Sequence, residues 1–365
     1  MYVARVEVEN LRGFRGARAV DLDLTRPDGS HAGWTVLAGP NGAGKTTLLA
    51  AVAAALGEPT DPLGWLPEGA EEGGVRLDGA HWRVTRTETG GLQCRRNGPL
   101  GFLAHYPARR HLAEGVSWLT GQQLLALERQ PGSVELVRGV RALLDDGLLP
   151  EGSRLGRIDC DGIRITGAGR EAPLGDGGTG ELVGLVLDLL ARVHRTHPDE
   201  ELVVDGTPPT VPVTGVVLID EAEAHLHPEG QQRLGDWLVT HFPGLQFIVS
   251  THSPYVCQAA DPGGLVRVPG PAERRGPYVL DEDLHQRVVY GSGDDTALTE
   301  LFAMPSVYSP QAEAERRLLV ALEQKLYAGR ASAAELAEYR ELGAKLNASL
   351  AARVDEARDR LGGGR

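Results

Sequence analysis

At 365 residues, 41% hydrophobic and 24% charged, the chain has an ordinary soluble composition and enough length for one large or two modest domains. A formal net charge of −13 excludes a broadly basic nucleic-acid coat. Cys94, Cys160 and Cys257 stand isolated, which argues for a reducing compartment and against a disulfide framework or a zinc site.

Residues 1-MYVARVEVENLRGF-14 alternate as a strand does and hold no secretory apolar segment. No apolar run approaches the ~20 residues that span a bilayer, so a cytoplasmic location without membrane contact is expected. Val3, Val6 and Val8 open the first strand, and Val20, Leu22 and Leu24 make a second with period two. Asp28 and Gly29 turn the chain before the apolar strand 34-WTVLAG-39. The segment 45-KTTLLAAVAAALG-57 predicts a helix that Gly57 ends. Hairpins are expected over 75–86 around Asp78-Gly79 and over 157–166 around Asp161-Gly162. Between them, about 107–150 is polar, punctuated by leucine, and reads as a helical insertion.

From 181 to 194 the apolar period becomes helical. Then come 216-VVLID-220, a helix from Pro228 to His241, and 245-LQFIVST-251. That order predicts an α/β fold with a mainly parallel core sheet, preceded by an N-terminal antiparallel β-region. In the tail, Leu336, Tyr339, Leu342, Leu346, Leu350 and Val354 form one helical stripe, and Ser332 with Glu335 makes a capping box. With 311–328 this stretch reads as a C-terminal helical hairpin. The expected division is 1–305, carrying the insertion, and 306–365, the helical extension.

Chemistry concentrates at three strand ends. The run 39-GPNGAGKT-46 fits G-x-x-x-x-G-K-[ST] between a strand and a helix. Gly39, Asn41, Gly42, Ala43 and Gly44 wrap main-chain N–H groups around a phosphate, helped by the positive end of the helix that follows. Lys45 reaches the β- and γ-phosphates, Thr46 is placed to ligate Mg²⁺, and Thr47 follows it. Asp220, ending an apolar strand, sets a second ligand, a carboxylate, beside that metal. Glu221, next in the chain, suits a general base acting on water. His252, after the following strand, sits where an imidazole meets the γ-phosphate or the attacking water.

With these motifs on the page, the chain resembles the ABC-type ATPases of the SMC/RecF-like group, and more narrowly the compact AAA-family ATPases of bacterial anti-phage systems such as Septu and retrons. Four pieces carry the resemblance: 9-ENLRGFRG-16, 39-GPNGAGKTTLL-49, 218-LIDEAEAHLHP-228 and 248-IVSTHSP-254. A weaker fifth is 289-VYGSGDDTALTELFAMP-305 with the helical tail. The resemblance implies an ABC-type P-loop ATPase fold, ATP and Mg²⁺ as ligands, and a homodimer or higher even oligomer closing around ATP. It makes Asp220 a metal ligand, Glu221 the base and His252 a switch histidine, and it puts Arg12 near the nucleotide. Residues 222–228 become a loop at the dimer interface, which accounts for His225 and His227 without a metal site. Tyr106 and Arg109 lie near the place of a magnesium-sensing loop, for which no glutamine is found.

In the same family a Leu-Ser-Asp/Gly-Gly signature ahead of a helix meets the partner's γ-phosphate. Here 174-LGDGG-178 takes that place, with Gly175, Asp176, Gly177 and Gly178 as nucleotide-binding candidates. Gly175 stands where the serine hydroxyl would bond, so one charge-assisted hydrogen bond of about 1.5–3 kcal/mol is missing. Thr179 is the nearest substitute hydroxyl. Slow hydrolysis is the expectation.

No nuclease motif is evident, and the acids of 281-DEDLHQ-286 with Asp294 and Asp295 read as solvated loop residues. The leading expectation is an ATPase that controls a separate nuclease or other effector in defence, any DNA or RNA contact coming through that complex. The alternative is a RecF/SMC-like repair or chromosome-maintenance ATPase, against which the acidic balance counts. A transporter ATPase subunit and a non-hydrolysing nucleotide sensor complete the range.

Overall fold

The computed structural model describes residues 2–98, 101–108, 113–130, 132–159, 161–167, 169–175, 178–198 and 201–346. The chain divides into two compact units, Met1–Phe302 and Ala303–Arg365.

In the first unit, β1 (Arg5–Glu9) and β2 (Val20–Asp23) pair antiparallel, Val6 opposite Leu22 and Val8 opposite Val20. β3 (Trp34–Ala38) is buried throughout and leads into α1 (Lys45–Leu56). Gly57 caps that helix at φ 117°, a left-handed conformation that favours glycine. β4 (Glu72–Leu77), β5 (Ala80–Arg86) and β6 (Leu92–Asn97) complete an antiparallel sheet in the order β2-β1-β4-β5-β6. The expected hairpin forms, with Leu77 facing Ala80 across Asp78-Gly79.

β7 (Phe102–Tyr106) joins a different sheet, and α2 (Ala113–Leu127) with α3 (Ser133–Asp145) supplies the helical insertion. β8 (Ser153–Asp159), β9 (Gly162–Gly167) and β10 (Arg170–Pro173) form a small antiparallel sheet, with Asp159 opposite Gly162 at the second expected hairpin. Then follow α4 (Gly178–Thr196), β11 (Gly215–Ile219), α5 (Pro228–His241), β12 (Leu245–Thr251) and the short α6 (Pro254–Cys257). β13 (Leu265–Arg267), β14 (Tyr278–Val279), α7 (Glu282–Val289) and α8 (Gly293–Leu298) end the unit.

The core sheet runs β14-β13-β3-β12-β11-β7 and is parallel except for the β13–β14 pair. Its central strands are buried on both faces, which is why they read as unbroken apolar runs. Val216, Leu218 and Ile248 join one core with α1 and the antiparallel sheet, including Val6, Val75 and Trp82. Val217, Ile219, Phe247 and Val249 join a second core with α3, α4 and α5. α1 is therefore enclosed between two sheets, and its run of Ala51, Ala53, Ala54 and Ala55 keeps the layers close. The α/β expectation with a mainly parallel core and an antiparallel N-terminal region is met.

The second unit holds α9 (Pro310–Tyr327) and a helical stretch over 333–346. Lys325 pairs with Glu335 at 2.6 Å and Lys345 with Glu315 at 2.5 Å, so the two stretches run antiparallel. The capping box exists: Ser332 N donates to Glu335 Oε2 at 2.8 Å, and Glu335 N donates to Ser332 Oγ at 3.2 Å. Leu350 and Val354 of the expected stripe lie outside the described residues. Among those described, no helix is long and apolar enough to cross a membrane.

Candidate nucleotide site at the strand ends

The glycine-rich loop between β3 and α1 is shaped by two close approaches. Val268 N donates to Ala38 O at 2.7 Å, and a Cβ on Gly39 would lie 2.2 Å from Val268 O. Gly44, at φ 106°, caps α1 against the Phe14 ring, where a Cβ would come to 2.8 Å. Only glycine accepts both the left-handed backbone and the crowding.

Lys45 is buried and its Nζ donates to Gly39 O at 2.9 Å and Pro40 O at 3.2 Å, with His252 Nε2 at 3.0 Å. Burial lowers the Lys45 pKa, and the Glu223, Asp220 and Glu221 carboxylates oppose that shift. His252 is held below the usual histidine range by desolvation first and the Lys45 cation second. A neutral imidazole whose Nε2 accepts from Lys45 follows from that pairing.

Thr46 Oγ1 donates to Asp220 Oδ2 at 2.8 Å, joining the first turn of α1 to the end of β11. Asp220 is 2% exposed, and its N–H donates to Tyr106 O at 2.8 Å at the end of β7. A buried carboxylate beside a hydroxyl is the hard-oxygen donor set that suits a small divalent cation such as Mg²⁺. Glu221 is exposed and left-handed, at φ 50°. The expected trio of strand ends thus converges: Lys45, Thr46, Asp220, Glu221 and His252 share one edge of the core sheet.

Arg12 also reaches this edge. It lies at φ 48°, stacks over Trp65 at 4.5 Å and donates to Thr47 Oγ1 at 3.4 Å. A cleft of about 480 Å³ opens beside it, lined by Arg12, Arg15, Arg18, Gly42, Ala43, Gly44 and Thr47, and by Arg274 from across the gap.

Asp176 and Gly177 lie outside the described residues. Gly178, and Gly180 just after it, have a local packing explanation. A Cβ on Gly178 would meet His225 O at 2.6 Å, and one on Gly180 would meet Gly175 O at 1.7 Å. The start of α4 is thus pressed onto the 225–227 loop of its own chain, a contact the sequence did not disclose. Among the described residues no hydrogen bond joins Gly175 or Gly178 to the phosphate loop of the same chain.

Three residues escaped the sequence reading. Arg18 donates to Ala43 O, Pro269 O, Glu273 O and Gly270 O, tying the phosphate loop to the segment after β13. Glu223 accepts from Thr251 Oγ1 and from the His252 N–H. Ser250 contacts both acids that follow β11, Asp220 and Glu221. Arg18 bonds only to main chain and has no sequence signal. Glu223 and Ser250 were visible, as a third acid after Asp220 and as a lone hydroxyl in an apolar strand. Of the other residues weighed, Arg109 is outside the described set, and Tyr106 has a buried phenol whose desolvation raises its pKa. Asp281 caps α7, and Asp295 closes a capping box with Ser292 on α8.

Residues 5–80 match an AAA-domain family, and residues 178–258 match a family described as "AAA domain, putative AbiEii toxin, Type IV TA system". The two matches hold the phosphate loop and the Asp220–His252 region respectively. Over 80 residues the chain is 40% identical to the "Retron Ec83 probable ATPase" of Escherichia coli, covering 22% of this chain and 14% of that protein. It is 23% identical over 290 residues to the "Septu protein PtuA" of Bacillus mycoides (strain KBAB4), covering 69% of this chain and 38% of that one. The chain thus spans well under half the length of these curated relatives. Among solved structures, an SMC head bound to the C-terminal winged-helix domain of ScpA superposes with a TM-score of 0.50 at 15% identity, covering 77% of this chain and 97% of that one. The fold is thus that of the ABC-type P-loop ATPases, and in its matched segments the chain is similar to AAA domains, to the retron ATPase and to the Septu protein.

Proposed function

We propose that the chain binds ATP with Mg²⁺, hydrolyses it slowly between two copies of itself, and through that cycle controls a separate effector, a nuclease, in anti-phage defence. The observation that carries the reading is the convergence of Lys45, Thr46, Asp220, Glu221 and His252 at one sheet edge. Thr46 and Asp220 would hold the cation, which when bound would neutralise phosphate charge. Lys45, desolvated and clamped by two carbonyls, places a fixed positive charge against the phosphates. Glu221 orients the attacking water and takes its proton. His252, neutral and anchored through Glu223, positions that water opposite the leaving oxygen.

The resemblance to the Septu protein and the retron ATPase supports the defence setting and the separate effector. The helical unit from Ala303 is the proposed docking surface for that effector. Any contact with DNA or RNA belongs to the resulting complex. Phosphate release from Mg-ATP by the purified chain tests the core of the reading. Lys45→Ala and Glu221→Gln are each expected to lower it at least about a hundredfold. Wild-type protein that releases no phosphate, or variants that match the wild type, overturn it. Co-purification of a neighbouring gene product whose nuclease activity changes with ATP tests the effector.

A further inference from the structure

We infer that Ser250 is a positioning residue for hydrolysis, holding the metal-binding carboxylate and the basic carboxylate in register with each other. The inference rests on the ATPase reading above. β12 is buried at all seven positions, and Ser250 is fully buried among Phe247, Ile248 and Val249. A hydroxyl in such a place must find partners or weaken the strand. Ser250 spends its donor on Asp220 Oδ1 and accepts from Glu221 N at 2.9 Å. Its main-chain oxygen also accepts from Ala222 N at 2.9 Å. One residue of β12 therefore holds three consecutive residues of the segment after β11.

The register explains how. β11 and β12 pair in parallel with Ile219 beside Val249, so the chain leaves β11 at Asp220 next to Ser250. There Glu221 turns into the left-handed region at φ 50°. That conformation is disfavoured for a side chain such as glutamate and persists where neighbouring bonds impose it. The Ser250 hydroxyl supplies one such bond at Glu221 N. It also restrains Asp220 Oδ1, leaving Oδ2 to face Thr46. Thus a single hydroxyl sets the rotamer of one acid and the main-chain direction of the next.

The chemistry touches Asp220 and Glu221, not Ser250, so the expected signature is selective. Ser250→Ala keeps the Ala222 N–H bond to the main chain at 250 and removes only the two side-chain bonds, so the fold is retained. In the full-length protein, Ser250→Ala is expected to lower kcat about tenfold to a hundredfold, while KM for Mg-ATP rises only as far as the Mg²⁺-dependent affinity falls. Affinity for a fluorescent ATP analogue should match the wild type in EDTA, while the gain in affinity on adding Mg²⁺ shrinks. Ser250→Thr, which keeps the hydroxyl in a strand-compatible residue, should recover most of both properties.

Unchanged kcat and an unchanged Mg²⁺ gain in Ser250→Ala overturn the inference. So does a loss of EDTA-state nucleotide binding together with a lowered melting temperature, which marks a purely structural serine. Wild-type protein that fails to hydrolyse Mg-ATP sinks the functional reading instead, and the Mg²⁺-dependent affinity gain still reads the role of Ser250.

Discussion

Gly39 shows how a motif residue can be required by its backbone angle and by its packing alike. Its φ of 156° and the Val268 carbonyl 2.2 Å from a would-be Cβ leave no room for alanine. Gly39→Ala should therefore destabilise the fold by about 3 kcal/mol. Urea unfolding checks this, and a cost below about 1 kcal/mol would show that the loop can shift away from Val268. Gly175 is a different case, exposed and set just ahead of α4. If the 174–178 segment meets a partner's γ-phosphate, Gly175→Ser adds the missing charge-assisted bond and speeds turnover about tenfold. Identical ATP affinity and turnover in the two proteins would remove the signature role. The acids and the histidine of this site were legible because each follows an apolar strand, the place where a parallel sheet presents polar groups. Arg18 was not, since its four acceptors are main-chain oxygens from segments more than two hundred residues apart, and no local pattern encodes them.

Among the elements, α1, α5, β11 and β12 followed from strong periodicity and clear capping residues. β6 and β7 did not, because 92-LQCRRN-97 is an almost wholly exposed edge strand and 102-FLAHY-106 is a five-residue edge of the core sheet. Neither is long enough for period to separate strand from loop. In the second unit the sequence signal was sharper, as the Ser332–Glu335 box stands where the residues announced it. Glu335 accepts from Lys325 and from Ser332 N, and the Lys325 bond chiefly lowers its pKa to about 2. A carboxylate whose pKa is lower folded than unfolded stabilises the fold above its unfolded value near 4.5, and that contribution fades as pH falls towards about 2. Helicity of the wild type should thus approach that of Glu335→Gln over this window. Parallel curves from pH 7 to pH 2 would mean that the capping carboxylate adds nothing.

For the molecule as a whole, the proposed cycle uses two copies, since among the described residues no hydrogen bond joins Gly175 or Gly178 to the phosphate loop of their own chain. Blocking the basic carboxylate should arrest the closed assembly. Glu221→Gln with ATP and Mg²⁺ is expected to elute as a dimer or larger even oligomer by size-exclusion with light scattering, and to revert without nucleotide. A monomer under both conditions would discard the two-copy arrangement. Fold class and the convergence of the strand-end residues were readable from the chain because apolar strands and glycine loops are local. The α4 contact with 225–227 was hidden because it joins backbone to backbone and shows only as an absence of side chains.

The enclosure of α1 has a mechanical consequence. The phosphate loop is the N-terminal end of a rod gripped on opposite sides by two sheets. The rod cannot pivot alone without opening a void in one of them. Displacement at Gly44 must therefore carry the β2-β1-β4-β5-β6 sheet with it. A label on exposed Cys94, on the edge strand β6, would ride with that sheet and report its movement.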